Sequence, residues 1–240
     1  MNITVATIFL TNQTVEALKS LYDKYMPHWD KGRRTLFNSS TPVYGSTHSI
    51  PVLASTGWRY EGVCYAHAVA TVAHMVLIRI VDREGGCPRI QTIREQILTM
   101  FPAREAGWSA VKVLQQAAVW YRPLKFKAVE ENCALQAVLR RRPVLTAFRL
   151  SHSGWNTFSK YFDTKGRELN LATMHLHRSG NDGGGHDVVL TRCDPQSLTF
   201  INSWGSDWGN KGSFNVENVR VLELDLDNGL NIPARFYDIY

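Results

Sequence analysis

The sequence predicts an α+β fold in which helices fill the first half of the chain and strands fill the second half. In the first half, apolar residues recur at helical spacing, or almost continuously, in three segments: 64–81, 91–101 and 108–120. In the second half, three short apolar segments have the length of strands, namely 143–148, 186–193 and 198–201. An order of this kind favours two structural parts, and a cleft between such parts is a usual place for a ligand.

The segment 64–81 is apolar almost all round, which is typical of a helix buried inside a domain, and Gly85-Gly86 mark its end. Before it, residues 13–26 have the spacing of an amphipathic helix, whereas 27–63 are rich in Pro, Gly, Ser and Thr and predict irregular structure. A further helix is predicted near 132–141.

The predicted strands 186–193 and 198–201 are joined by Asp-Pro-Gln-Ser at 194–197, which is a good turn sequence with proline at its second position. These two strands are therefore expected to form a hairpin. Two more strands are predicted at 214–216 and 221–226, the latter from its alternation of leucines with acidic residues.

The chain has 240 residues, enough for one large domain or two modest lobes. Its formal net charge of +6 mildly favours acidic partners, but the basic residues are scattered. The one tight cluster, Arg140 to Arg142, is more simply a solvated helix end than a site for a polyanion, so no nucleic-acid partner is expected. No apolar stretch reaches about 18 residues, so no membrane-spanning helix is expected either.

The four cysteines, Cys64, Cys87, Cys133 and Cys193, show no CxxC pair and no other metal-ligand spacing, so neither a metal site nor another cofactor is expected. If Cys64 is a nucleophile, the other three can form at most one disulfide, which is sparse for a secreted protein. The first ten residues lack the basic region and the cleavage site of a signal peptide. The location stays open, and these features weakly favour an intracellular one.

Cys64 opens the most apolar helical segment of the sequence. The unpaired N–H groups and the dipole of a helix N-terminus lower the pKa of a thiol there, and the same N–H groups can donate to an oxyanion. Taken alone, the residue is equally compatible with a buried structural cysteine, which is common in apolar segments.

The most specific pattern lies between residues 184 and 216. His186 begins a predicted strand, Asn202-Ser203-Trp204-Gly205 follow the next strand, and Trp208-Gly209 and Gly212 come after them. This pattern, together with the segment GVCYAHAVA around Cys64, resembles the papain-like cysteine peptidases. His186 and Asn202 follow Cys64 by 122 and 138 residues, near the spacing of about 130–150 residues found in that family.

The resemblance implies that Cys64 is the nucleophile, His186 the base and Asn202 the residue that orients the histidine. It also implies thiol-dependent hydrolysis of peptide bonds, with peptide or protein substrates and protein inhibitors as partners. The implied fold has two lobes: a helical lobe at about 51–128 built around the nucleophile helix, and an antiparallel β-barrel-like lobe at about 129–240. Residues 1–50 are then an extension, either a short pro-segment or an arm that crosses the lobes.

The sequence departs from that family at the oxyanion donor. The family carries a glutamine six residues before the cysteine, but here Trp58 occupies that position and Arg59 follows it. An indole or guanidinium N–H would have to donate beside the backbone N–H of Cys64, and loss of one donor typically costs about 100- to 1000-fold in rate. The alternative is therefore a catalytically weakened papain-like protein with a binding or regulatory role.

Three further residues are expected near a substrate because of the resemblance. Gly107 is the one match to the paired glycines that bond the substrate backbone, and Trp204 is expected to shield the contact between His186 and Asn202. Asp187 falls where the family lines its S2 subsite, which suggests tolerance for basic side chains there; a solvated or capping acid is an equally simple interpretation.

Overall fold

The computed structural model describes residues 62–80, 86–164, 168–181 and 183–240, all of which belong to one compact unit that spans His48–Tyr240. These residues contain six α-helices: α1 (Cys64–Leu77), α2 (Ile90–Met100), α3 (Ala110–Trp120), α4 (Glu131–Leu139), α5 (His152–Asp163) and α6 (Leu171–Met174). They also contain eight strands: β1 (Phe126–Val129), β2 (Val144–Ser151), β3 (Gly183–Cys193), β4 (Leu198–Ile201), β5 (Ser213–Val216), β6 (Leu224–Asp225), β7 (Asn231–Ile232) and β8 (Arg235–Ile239).

Six of these strands form one antiparallel sheet in the order β1-β8-β2-β3-β4-β5. The strands β6 and β7 pair separately. Strands β1 and β5 are the two edges of the sheet, and no pairing among the described residues joins one edge to the other. The mixed helix and sheet composition agrees with the sequence prediction, but the sheet is open, and the expected barrel-like closure is not confirmed.

Helix α1 is buried along almost its whole length because its sequence, CYAHAVATVAHMVL, offers small and branched apolar side chains on every face. It packs against α2 and α3 on one side and against β3 and β2 on the other. The Tyr65 hydroxyl donates to the Phe101 carbonyl at 2.6 Å and so ties the start of α1 to the end of α2. Burial of each large apolar side chain contributes about 1.5–3 kcal/mol, which fixes the helix as the centre of the fold.

The opposite face of the sheet carries a second core, dominated by aromatic side chains. Helix α5 lies against this face and buries Phe158 and Phe162 there. Ser151 caps α5, because its hydroxyl accepts from the Gly154 N–H at 2.9 Å. Sheet residues complete this core, among them Phe148, Phe200, Phe214 and Phe236.

Several predictions of element boundaries need correction. Residues 221–226 do not form one strand: Val219–Leu222 are a 3-10 helix, started by the Asn218 side chain that accepts from the Arg220 N–H, and only Leu224–Asp225 are strand. Helix α4 corresponds to the helix predicted near 132–141, whereas α5 (His152–Asp163) was not predicted and lies in the half expected to hold strands. The predicted helix 13–26 and the oxyanion candidates Trp58 and Arg59 lie outside the described residues.

Among the described residues, no helix has both the length and the hydropathy needed to cross a bilayer.

Candidate active site

Cys64 is the first residue of α1 and is half-buried. The preceding residue, Val63, offers no side-chain cap, so the first backbone N–H groups of the helix stay available. Nearby backbone N–H groups, those of Asp187, Tyr65 and Cys64 itself, lower the pKa of the thiol. The sulfur therefore lies where backbone donors from the helix and from β3 converge.

His186 and Asn202 are brought together by the β3–β4 hairpin. The turn expected at 194–197 is present, with Asp194 Oδ1 accepting from the Gln196 and Ser197 N–H groups at 3.0 and 2.9 Å. His186 lies on β3, and Asn202 is the first residue after β4. Their side chains meet at 2.7 Å between His186 Nε2 and Asn202 Oδ1, and both are buried.

The second partner of Asn202 fixes the tautomer of His186. The Ser203 backbone N–H, which can only donate, contacts Asn202 Oδ1 at 2.8 Å, so this atom is the amide oxygen. An oxygen cannot donate, and His186 Nε2 must therefore carry the proton of their shared bond. In the neutral imidazole, Nδ1 is then the lone-pair nitrogen and the one able to accept a proton.

Aromatic rings enclose the His186 imidazole on several sides. Trp204 lies 5.2 Å away between ring centroids, and its role as a shield over the His186–Asn202 bond stays a prediction. Phe148 and Trp155 contact the imidazole edge-on, each at 5.7 Å. Such an enclosure excludes water and strengthens the hydrogen bond inside it.

Sequence reasoning did not identify Phe148 and Trp155 as neighbours of His186. Phe148 is the cross-strand partner of His186 in the β2–β3 register, which only long-range pairing reveals. Trp155 lies on α5, and its indole N–H donates to the Gly184 carbonyl at 3.0 Å.

Burial dominates the electrostatics of the cysteine and the histidine. Loss of solvent, with a smaller contribution from the nearby Asp187 carboxylate, raises the pKa of Cys64 to about 12 against the opposing effect of three backbone donors. Loss of solvent lowers the pKa of His186 to about 4, although the bond to Asn202 acts in the other direction. Both shifts favour the neutral forms of the two groups, a thiol and an imidazole, over an ion pair.

Asp187 is half-buried on β3, next to His186 in sequence but on the opposite face of the sheet. Loss of solvent raises the pKa of its carboxyl to about 7. The same residue acts on Cys64 in two directions, since its charge raises the pKa of the thiol and its backbone N–H lowers it. Asp187 thus belongs to the immediate surroundings of the sulfur.

Gly107 lies beside the cysteine, in a loop that packs on Gly62. A Cβ on Gly62 would lie 2.1 Å from the Arg104 carbonyl oxygen, so only glycine permits this approach. The Gly107 N–H donates to the Arg104 carbonyl at 2.9 Å, and the Gly107 carbonyl accepts from Arg104 Nε. Both backbone groups of Gly107 are thus already bonded. The carbonyl has a second lone pair for a substrate N–H, whereas the Gly107 N–H can donate to a substrate, which remains a prediction, only if its bond to Arg104 is displaced.

Two hollows adjoin Cys64 and His186. The first, of about 480 Å³, extends over Trp155 and Trp204 and along one side of α5. The second, of about 540 Å³, extends over Gly107, Asp187 and the exposed end of the sheet. A chain laid across both hollows would pass the sulfur of Cys64.

No group of three or more His, Cys, Asp or Glu side chains within the described part of the chain is arranged to hold a metal ion. All four cysteines are free thiols. His67 and His74 lie on α1; burial lowers the pKa of His67 to about 4, and His74 Nδ1 lies 3.0 Å from the Pro88 carbonyl oxygen. Their surroundings are those of packed polar groups on a buried helix.

The sequence matches no protein-family model and no curated protein. Among solved structures, it is similar to a cysteine protease from Carica candamarcensis in complex with E-64, with 14% identity and a TM-score of 0.38 over 69% of this chain and 84% of that chain. It is also similar to xylellain, a cysteine protease from Xylella fastidiosa, with 14% identity and a TM-score of 0.40 over 74% of this chain and 79% of that chain.

Proposed function

We propose that this chain has a papain-like fold and hydrolyses peptide bonds with Cys64 as nucleophile, His186 as base and Asn202 as the residue that orients the imidazole. One observation carries the proposal: the 2.7 Å bond between His186 Nε2 and an Asn202 oxygen that Ser203 holds in place. This bond leaves Nδ1 as the basic nitrogen of a ring that lines the cleft together with Cys64. The match of His186, Asn202, Trp204 and the following Trp-Gly to the peptidase pattern supports the same function.

In the proposed reaction, His186 Nδ1 takes the thiol proton as the sulfur of Cys64 forms a bond to the substrate carbonyl carbon. The carbonyl electrons move to the oxygen, and their return breaks the carbon–nitrogen bond. The imidazolium gives its proton to the leaving amine, which leaves a thioester on Cys64. Water then attacks the thioester, loses a proton to His186 and releases the acid, while the thiolate regains a proton.

The neutral resting state has a consequence for the first step. Because burial raises the pKa of the Cys64 thiol, the protonated form is favoured, and we propose that its proton passes to His186 as the sulfur attacks. Backbone N–H groups at the start of α1 are the available donors for the oxyanion, and the Cys64 N–H is the one implied by the family. Trp58 and Arg59 remain proposals for the side-chain donor.

The two hollows fit the two halves of a substrate. Because His186 protonates the leaving amine, we assign the leaving half to the hollow beside Trp155 and Trp204, which flank the imidazole. The acyl half then occupies the hollow beside Gly107 and Asp187.

The proposal is tested with a peptide epoxide probe that reacts with an activated thiol. We expect labelling of Cys64, located by mass spectrometry of the digested protein, and none in Cys64→Ala. The exposed Cys87 and Cys133 are internal controls, because a probe that needs the site will not label them at a comparable rate. Absence of label at Cys64 would end the hydrolase assignment.

A second candidate function is favoured by the electrostatics. Burial holds both Cys64 and His186 in their neutral forms, as expected of a site that binds peptides and turns them over slowly or not at all. Labelling of Cys64 without turnover of any member of a peptide library, combined with measurable peptide affinity, would favour this weakened, peptide-binding protein.

A further inference from the structure

One row of side chains crosses three strands at the mouth of the cleft. In the sheet register, Ala147 on β2 is opposite Asp187 on β3 and also opposite Arg235 on β8. Directly paired residues of antiparallel strands project from the same face of a sheet, so the small Ala147 side chain lies between the acid and the arginine. Because strands lie about 4.8 Å apart, Asp187 and Arg235 are separated by roughly 10 Å at the backbone.

The same face supplies a second arginine. Arg149 lies two residues after Ala147 on β2 and opposite Gly185. Since Gly185 has no side chain, Arg149 reaches along β3 and donates to the Gly183 carbonyl at 3.1 Å. Arg149 and Arg235 are both exposed, and both line the hollow that extends from Cys64.

Where α1 begins, this face of the sheet changes from buried and apolar to accessible and charged. The next row of the sheet, Val189, Leu145 and Tyr237, is buried, as expected where the sheet packs on α1. Beyond that row, the side chains of Ala147, Arg149 and Arg235 line the hollow. The floor of the hollow is thus formed by a small side chain, that of Ala147, and its outer rim carries the positive charges of the two arginines.

No ion pair within the described part of the chain engages Arg235, Arg149 or Asp187. Glu105 lines the hollow from the opposite loop and is exposed, so it faces the arginines across the space that a ligand would fill. Burial also raises the pKa of Asp187 to about 7, which weakens its counter-charge near neutral pH. The cations on the sheet wall are therefore the groups left to pair with an incoming side chain.

We propose that Arg149 and Arg235 form a subsite that selects an acidic side chain in the acyl half of a peptide substrate, seated over Ala147. The proposal rests on the proposed hydrolase function for the direction of the substrate. It also differs from the expectation that Asp187 makes this subsite tolerant of basic side chains, because two arginines without an ion-pair partner among the described residues flank the position that a side chain over Ala147 would take.

The test compares peptide substrates that differ only at one of the three positions before the cleaved bond, with Glu, Gln or Arg at that position. Glu and Gln have nearly the same shape, so their ratio isolates charge. We expect kcat/KM to favour Glu over Gln by about twofold to fivefold at one position. Arg235→Gln and Arg149→Gln should each reduce this ratio, and Arg235→Glu should invert the preference in favour of Arg.

The matched control is Arg220→Gln, which removes an exposed arginine away from both hollows and should leave the Glu/Gln ratio unchanged. Peptide binding to Cys64→Ala, followed by fluorescence anisotropy, should rank the Glu, Gln and Arg peptides in the same order without turnover. This measurement separates the two proposals. An unlabelled Cys64 would overturn the hydrolase function alone, whereas equal affinity for Glu and Gln peptides, or a preference for Arg, would overturn the acid-selective subsite alone.

Discussion

Two groups of Asp187 act in opposite directions on the pKa of Cys64. The backbone N–H of Asp187 stabilises the thiolate and lowers this pKa, whereas its carboxylate destabilises the thiolate and raises it. A single substitution at position 187 removes the carboxylate and keeps the backbone donor, so the two effects can be measured separately. This relationship also explains why an acid next to the base need not assist it. The Asp187 side chain projects from the sheet face that packs on α1, whereas the His186 side chain projects from the other face and still lines the cleft together with Cys64.

Asp187→Asn should lower the pKa of Cys64. Desolvation is the largest cause of the raised value of about 12, so the pKa should remain above that of an ordinary thiol even after the negative charge is gone. We expect the rate of iodoacetamide alkylation at Cys64 to rise at a lower pH than in the unmodified chain, measured by mass spectrometry of the Cys64 peptide. Glu95→Gln, on the exposed side of α2, is the control. An identical alkylation profile for Asp187→Asn would contradict the assigned coupling.

Asn202→Ala should reduce kcat while changing KM little, because Asn202 orients His186 rather than contacting substrate. Loss of a hydrogen bond to a group that becomes charged costs about 1.5–3 kcal/mol, which corresponds to roughly 10- to 150-fold in rate. Steady-state kinetics with a fluorogenic peptide measure kcat and KM separately and will show which of the two changes. A change confined to KM would indicate that Asn202 serves substrate binding instead.

Trp155→Ala should raise the pKa of His186. Burial is the main reason that this pKa lies near 4, and Trp155 supplies one of the apolar walls. A rising pKa means that the neutral, basic imidazole is lost at a higher pH, so the acidic limb of the pH–rate profile should move upward. Trp155→Phe keeps an aromatic wall but loses the bond to the Gly184 carbonyl, and its acidic limb should move less. Equal profiles for the two variants and the parent would refute the role of Trp155 in excluding water.

The part of the site that could be predicted from sequence is the part built by one continuous segment. His186 and Asn202 lie on one hairpin whose strands and turn are all visible in the local pattern, so their meeting needs no long-range information. Arg235 reaches the cleft only through the pairing of β8 with β2, almost 90 residues away in sequence. Such register depends on the packing of the whole sheet, and no local signal specifies it.

Helix α5 could not be predicted from the sequence for a different reason. Its sequence, HSGWNTFSKYFD, mixes polar and aromatic residues and contains a glycine, which lowers its intrinsic helix propensity. Two tertiary features compensate: the Ser151 cap and the burial of Phe158 and Phe162 against the sheet. The place of Trp155 beside His186 depends on this helix and therefore was also beyond prediction.

Gly62→Ala should disturb the loop that forms the wall of the cleft opposite the sheet. Gly62 has a φ of +58°, and an added Cβ would lie 2.1 Å from the Arg104 carbonyl oxygen, so the variant carries both backbone strain and a clash with the loop that holds Gly107. The strain alone costs about 1–3 kcal/mol. Gly229→Ala is the matched control, because Gly229 has a φ of +84° but open space around its Cβ position. Urea unfolding should show a larger decrease in the free energy of unfolding for Gly62→Ala than for Gly229→Ala. The rate at which the epoxide probe labels Cys64 should also fall in Gly62→Ala. Equal decreases in the free energy of unfolding would mean that the loop rearranges to accept the added Cβ without loss of stability.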